Sequence, residues 1–149
     1  MNRRKKQAQQ NIEPLSSKKP RGSALADNVE KSHFMWDTKQ AEFDGLFSWK
    51  GCSHETLLTE VIPKLQACQS ISWESLGQNG SHQVSTNQLC KEAFARLKEH
   101  IDPDGNIDRL YSLRLSGKQR IWGFRDRHML CILWWDPEHR VCPSQLKNT

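Results

Sequence analysis

The last third of the chain, from Leu110 to Ser144, constrains the fold more than any other stretch. It reads LYSLRLSGKQRIWGFRDRHMLCILWWDPEHRVCPS, three strand-like runs joined by turn signals. Tyr111, Leu113 and Leu115 alternate with Ser112, Arg114 and Ser116, the period-two pattern of a half-buried strand. Ser116-Gly117-Lys118 predicts a tight hairpin into a second strand, Arg120 to Arg125. Asp126-Arg127-His128 predicts a second turn. Met129 to Trp135 is apolar on both faces, as a central strand covered on each side is. Asp136-Pro137 ends it.

The middle of the chain carries helical signals. Ser53 suits an N-cap for a helix reaching about Gln69, with Leu57, Leu58, Val61, Ile62, Leu65 and Cys68 on one stripe. Pro63 interrupts that pattern, so it either kinks the helix or marks a start near residue 60. Ser72 to Leu76 predicts a short helical turn, and Gly77 to Ser81 a loop. Ser85 and Gln88 match a capping box for a second helix ending near His100, with Leu89, Cys90, Ala93, Phe94, Leu97 and Ile101 as its apolar face. Asp102 to Asn106 is strong turn chemistry. Residues 32–50 gather five aromatics and should cap the core, with a short strand or helical turn around Phe43 to Trp49. The expected fold class is α+β: an antiparallel β-meander in the C-terminal third with two main helices packed on it, as one domain over residues 32–149.

Residues 1–31 contain almost no large apolar side chains and should form a disordered basic arm. It carries Arg3, Arg4, Lys5 and Lys6, a cluster suited to salt-dependent contact with nucleic acid. Charge divides by segment. Residues 1–31 hold eight Lys/Arg and three Asp/Glu, residues 32–108 six and eleven, and residues 109–149 eight and three. The net charge of +5 therefore conceals an acidic helical middle between a basic arm and a basic sheet. Such a sheet either meets a polyanion or pairs with the acidic middle of the same chain. No apolar run approaches the roughly 20 residues of a membrane span, so no membrane partner is expected. The five cysteines form no framework pattern and read as small buried hydrophobes of a reducing, cytoplasmic compartment.

The candidate chemistry lies on the sheet. Arg114 and at least one of Arg120 and Arg125 should share a face, a forked donor surface suited to phosphate, with Lys118 in the hairpin beside them. The alternative is a solvated face with ordinary surface arginines. His139 follows the central strand among Asp136, Glu138 and Arg140. Cleavage of RNA by its 2′-hydroxyl needs a base, an acid and cations for the phosphorane charge, which His139, Glu138 or Asp136 and the arginines offer. The alternative is a plain turn in which Asp136 bonds its own backbone. Cys52, His54, His139 and Cys142 would make a tetrahedral zinc site only if two distant loops met. The tryptophans either stack bases or, as expected for most, fill the core. There is no phosphate-cradling Gly-rich loop and no dinucleotide fingerprint, so no cofactor is expected.

Arg120-Ile121-Trp122-Gly123 followed by Leu133-Trp134-Trp135-Asp136-Pro137-Glu138-His139 resembles a family of small bacterial proteins that share this signature. The order Leu115 to Ile121, Asp126, Met129 to Trp135 and His139 also resembles in layout the RelE-type toxins, ribosome-dependent mRNA interferases of toxin–antitoxin systems. That resemblance implies helices on an antiparallel sheet and endoribonuclease activity on RNA, in the form of ribosome-bound mRNA. Arg120 and Arg125 would hold the scissile phosphate, His139 would act as acid or base, and an antitoxin or other protein would be the partner. The other readings are a non-catalytic nucleic-acid-binding protein and an inhibitor or interaction module from a mobile element, with its acidic helices facing a basic partner.

Overall fold

A computed structural model describes residues 29–143. Five strands form one mixed sheet: β1 (Met35–Asp37), β2 (His82–Ser85), β3 (Arg109–Arg114), β4 (Arg120–Asp126) and β5 (Met129–Asp136), in the order β1-β5-β4-β3-β2. The meander β3-β4-β5 is antiparallel, as its alternation and turns require. Two short outer strands extend it. β1 runs parallel to β5, and β2 antiparallel to β3. Neither has the length or apolar content that makes a strand legible; β2 buries only Val84 fully.

Helix α1 (54–68) starts on Ser53, whose side chain accepts a hydrogen bond from the Thr56 N–H. Pro63 neither ends nor starts it. A π turn, Leu57–Val61, precedes the segment Ile62–Cys68 and widens the helix where proline lacks its N–H. Helix α2 (Trp73–Leu76) is the expected short turn, capped by Ser72. Helix α3 (91–101) departs from expectation. The residues of the supposed capping box complete β2 and a 3-10 turn, Thr86–Gln88, and the helix begins at Lys91 with the Cys90 sulfur receiving the Ala93 N–H.

The sheet is covered on both faces. On one, Val61 and Leu65 of α1 pack with Trp73, Tyr111, Leu113, Ile121, Leu130, Ile132 and Trp135. On the other, Ala93 and Leu97 of α3 pack with Val84, Leu110, Trp122, Leu133, Trp134 and Val141. β3 is therefore buried on both faces over most of its length, not half-buried: Leu110 and Ser112 lie on the α3 side and are almost fully covered. The sheet tryptophans are core residues. Trp134 and Trp135 point to opposite faces, each stacked against an aromatic of the 38–52 loop.

A bulge shapes β5. Trp122 pairs with Trp134 but Gly123 with Ile132, so Leu133 is the extra residue and shares the α3 face with Trp134. The carbonyl it turns outward accepts the Glu42 N–H at 2.9 Å, and Trp135 donates its N–H to Phe47. The 38–52 loop thereby protects the edge of β5 beyond the short β1. Glu42 then joins loop, helix and sheet. It accepts from Arg96 Nε at 2.9 and 3.0 Å and from Trp134 Nε1 at 2.7 Å. Among the described residues no helix is long and apolar enough to cross a membrane.

Candidate functional site

Strand register places the polar side chains in rows on the α3 face. His82, Ser112, Trp122 and Trp134 form one row, and Arg114, Arg120 and Asp136 the next. Arg114 and Arg120 are direct cross-strand partners, about 5 Å apart at their Cα atoms by strand spacing. Arg114 is exposed and lies across Gly80, where a Cβ would meet its Cδ and Nη1 at 3.2 Å. Its backbone N–H is fixed by the buried Ser81 hydroxyl at 3.0 Å. Arg120 is half-buried, and its Nη1 donates to the carbonyls of Gly117 (2.7 Å) and Gln119 (3.0 Å).

Neither arginine forms a salt bridge with a described carboxylate, nor does any Lys or Arg of residues 109–143 with an acid of the 32–108 segment. The acidic middle therefore does not neutralise the basic sheet through contact pairs. Burial and the adjacent Arg114 charge lower the Arg120 pKa, with Asp136 opposing. Two like charges side by side, with the buried Asp136 near one of them but no described carboxylate in salt-bridge contact with either, are a site an anion stabilises.

His139 reaches this face through a tightly bonded turn. Asp136 is almost wholly buried. One oxygen accepts the Arg140 N–H at 2.8 Å. The other accepts the Val141 N–H and the Trp122 indole N–H, both at 3.0 Å. Those bonds hold His139 in the left-handed region, with φ of 57°. Asp136 thus bonds its own turn, and its lone pairs are taken up by structural donors. Glu138 is exposed at the same turn. The His139 imidazole is half-buried, and its pKa is pushed down by burial first and then by Arg120 and His82, against the pull of Asp136. A neutral imidazole is the form that accepts a proton.

His82, Ser112, Trp122, His139 and Cys142 line a cleft of about 590 Å3 beside these arginines. Ser112 is covered, and its hydroxyl has no hydrogen-bond partner among the described residues. Sequence reasoning missed His82 and Ser112 because β2 was read as loop and cap, and β3 as half-exposed. The only available signal was the Val84 position, too little to define a strand.

Arg125 does not join Arg120 and His139. It lies five residues, an odd number, beyond Arg120 along β4 and so on the α1 face, over the Trp73 ring at 4.1 Å and bonded to Glu30 at 2.7 Å and to the Arg127 carbonyl at 2.9 Å. Its place is explained by packing. Lys118 is exposed in the β3–β4 turn. Arg3, Arg4, Lys5 and Lys6, and the arm up to residue 28, lie outside the described residues. The supposed zinc ligands are separated by the sheet, Cys52 packing on the α1 side and Cys142 on the α3 side. Among the described residues no group of three or more His, Cys, Asp or Glu side chains is placed to hold a metal ion. All five thiols are pushed up by burial, which keeps them protonated and poorly nucleophilic.

A second cleft, of about 710 Å3, opens on the α1 face between Trp36, Phe43, Trp49 and Leu57. Its walls are apolar, and its lysine, Lys50, is paired with Asp44. It does not suit a phosphodiester. No protein-family model, no curated protein and no solved structure matches this chain.

Proposed function

We propose that the protein binds RNA along the α3-side cleft and cleaves it by attack of a 2′-hydroxyl on the adjacent phosphate. The observation that carries the reading is the direct pairing of Arg114 with Arg120 beside His139, with no described carboxylate in salt-bridge contact with either guanidinium. In this scheme Arg114 and Arg120 hold the phosphate and offset the charge that grows on its oxygens. His139, kept neutral by burial and by Arg120, removes the 2′-hydroxyl proton. Arg125 has no part in it. The layout resemblance to RelE-type toxins extends the reading to a growth-arresting mRNA interferase.

The test is induced expression of the intact chain, Arg120→Ala and His139→Ala in a bacterial host, following growth and mRNA integrity. Growth arrest with fragmented mRNA is expected from the intact chain and from neither variant. Fragmentation that persists in both variants contradicts the assignment. Arrest without fragmentation, relieved by Arg120→Ala alone, points to a non-catalytic RNA-binding protein.

A further inference from the structure

We propose that His82 is the second proton-transfer group of this cleft, the general acid that protonates the 5′-oxygen leaving the phosphorus; the proposal rests on the reading of the cleft as an RNA-cleaving site. Cleavage by the 2′-hydroxyl moves two protons. One must leave the attacking oxygen and another must reach the departing one. His139 accounts for the first alone, and the carboxylates near it do not supply the second. Asp136 is committed to three N–H donors of its own turn and of Trp122, and Glu138 lines a different hollow, with Leu46, Phe47 and Arg140.

His82 stands where the missing group is needed. It opens β2 at the edge of the sheet, in register with Ser112, so the cleft has one histidine on its outer strand and another on the turn after β5. Both line the same cleft. His82 Nδ1 lies 3.3 Å from the Gly80 carbonyl oxygen. A carbonyl only accepts, so Nδ1 carries the hydrogen and Nε2 is the nitrogen left to trade a proton. Gly80, with φ of 83°, brings that carbonyl into place while leaving room for Arg114. His82 is exposed, so the group is open to proton exchange with solvent between turnovers.

Between the histidines, the covered Ser112 hydroxyl has no hydrogen-bond partner among the described residues and is in position to donate to a non-bridging phosphoryl oxygen. The step balances. The 2′-oxygen–phosphorus bond forms as its proton passes to His139, and the phosphorus–5′-oxygen bond breaks as His82 Nε2 gives up its proton. The products are a 2′,3′-cyclic phosphate and a 5′-hydroxyl end.

The experiment compares the full chain, His82→Ala and His139→Ala on two short RNAs. One is ordinary, and the other carries sulfur in place of the bridging 5′-oxygen at a single linkage. A thiolate leaves without being protonated, so an acid is dispensable there and a base is not. Expected is a loss of 100-fold or more for His82→Ala on ordinary RNA. On the sulfur substrate its rate should recover to within about tenfold of the unaltered chain, with RNA affinity unchanged throughout. His139→Ala should lose both substrates. Undiminished cleavage of ordinary RNA by His82→Ala, or a loss that sulfur does not rescue, overturns the role of His82 and leaves the cleft reading standing. If the unaltered chain cuts neither substrate, the cleft reading itself falls, and this proposal with it.

Discussion

At Gly123 a methyl group would stand 2.3 Å from the Cys131 carbonyl oxygen, because the bulge in β5 pushes its backbone toward β4 at that point. No side-chain rotation relieves a clash with backbone. Gly123→Ala should cost roughly 3 kcal/mol, read as a lower urea midpoint, by the usual penalty for overpacking. A neutral effect would mean that the bulge is absent. His139 allows a second residue-scale test. Its pKa lies below the ordinary value, with Arg120 contributing after burial. Arg120→Gln should therefore raise it, measured by NMR titration of the imidazole. A group depressed in the folded state stabilises fully above its unfolded pKa, about 6.5. The His139 contribution should accordingly fade as pH drops through and below that value, less so in Arg120→Gln. An unmoved pKa in the variant would separate the two groups. Arg120 and His139 were readable from sequence as strand-end cations. The isolation of Arg125 was not, because strand parity gives the face but not which face carries the site.

At the scale of elements, the long periodic segments were legible and the short ones were not. The turn-bounded β3, the all-apolar β5 and the Ser53 cap are announced by their residues, although β3 is covered on both faces where its alternation suggested one. β1 and β2 are strands only because a neighbour offers its edge, and three or four residues carry no period. Helix α3 began six residues later than its apparent capping box because Ser85 and its neighbours were drawn into the sheet by β3. Its far end is held by Asp102, which accepts the N–H groups of Asn106 (2.9 Å) and Ile107 (2.7 Å). The Ile107 bond leads in lowering the Asp102 pKa, aided by Asn106, Lys98 and Gly105 against the effect of burial. A carboxylate depressed in this way stabilises above its unfolded pKa, about 3.9. That contribution should be lost as pH falls from near 4 through the folded value. Asp102→Asn should flatten this part of the stability–pH profile, and an unchanged profile would remove Asp102 from the account.

At the scale of the whole molecule, the sheet separates two environments. On the α1 face Arg125 clips Glu30 and Trp73 to β4, and the cleft that opens there is walled by apolar side chains. The α3 face opens at one end into the cleft lined by His82, Ser112 and His139, with the Arg114–Arg120 row next to it. Arg125→Ala should then lower stability by about 1–2 kcal/mol, through loss of the cation–π contact and the ion pair, while RNA cleavage per folded molecule stays unchanged. Loss of cleavage at full stability would place Arg125 in the site after all. The basic sheet and the acidic middle were both visible in sequence; that they do not pair with each other is a property of the assembled fold.

The most direct measurement is an amide NMR titration of the full chain with a short 2′-O-methyl RNA, which binds as RNA does but has no free 2′-hydroxyl to attack. The account predicts shifts concentrated at residues 80–84, 112–120 and 136–142, abolished in Arg120→Ala. Shifts confined to the apolar cleft around Trp36 and Leu57, or no binding at all, would contradict it.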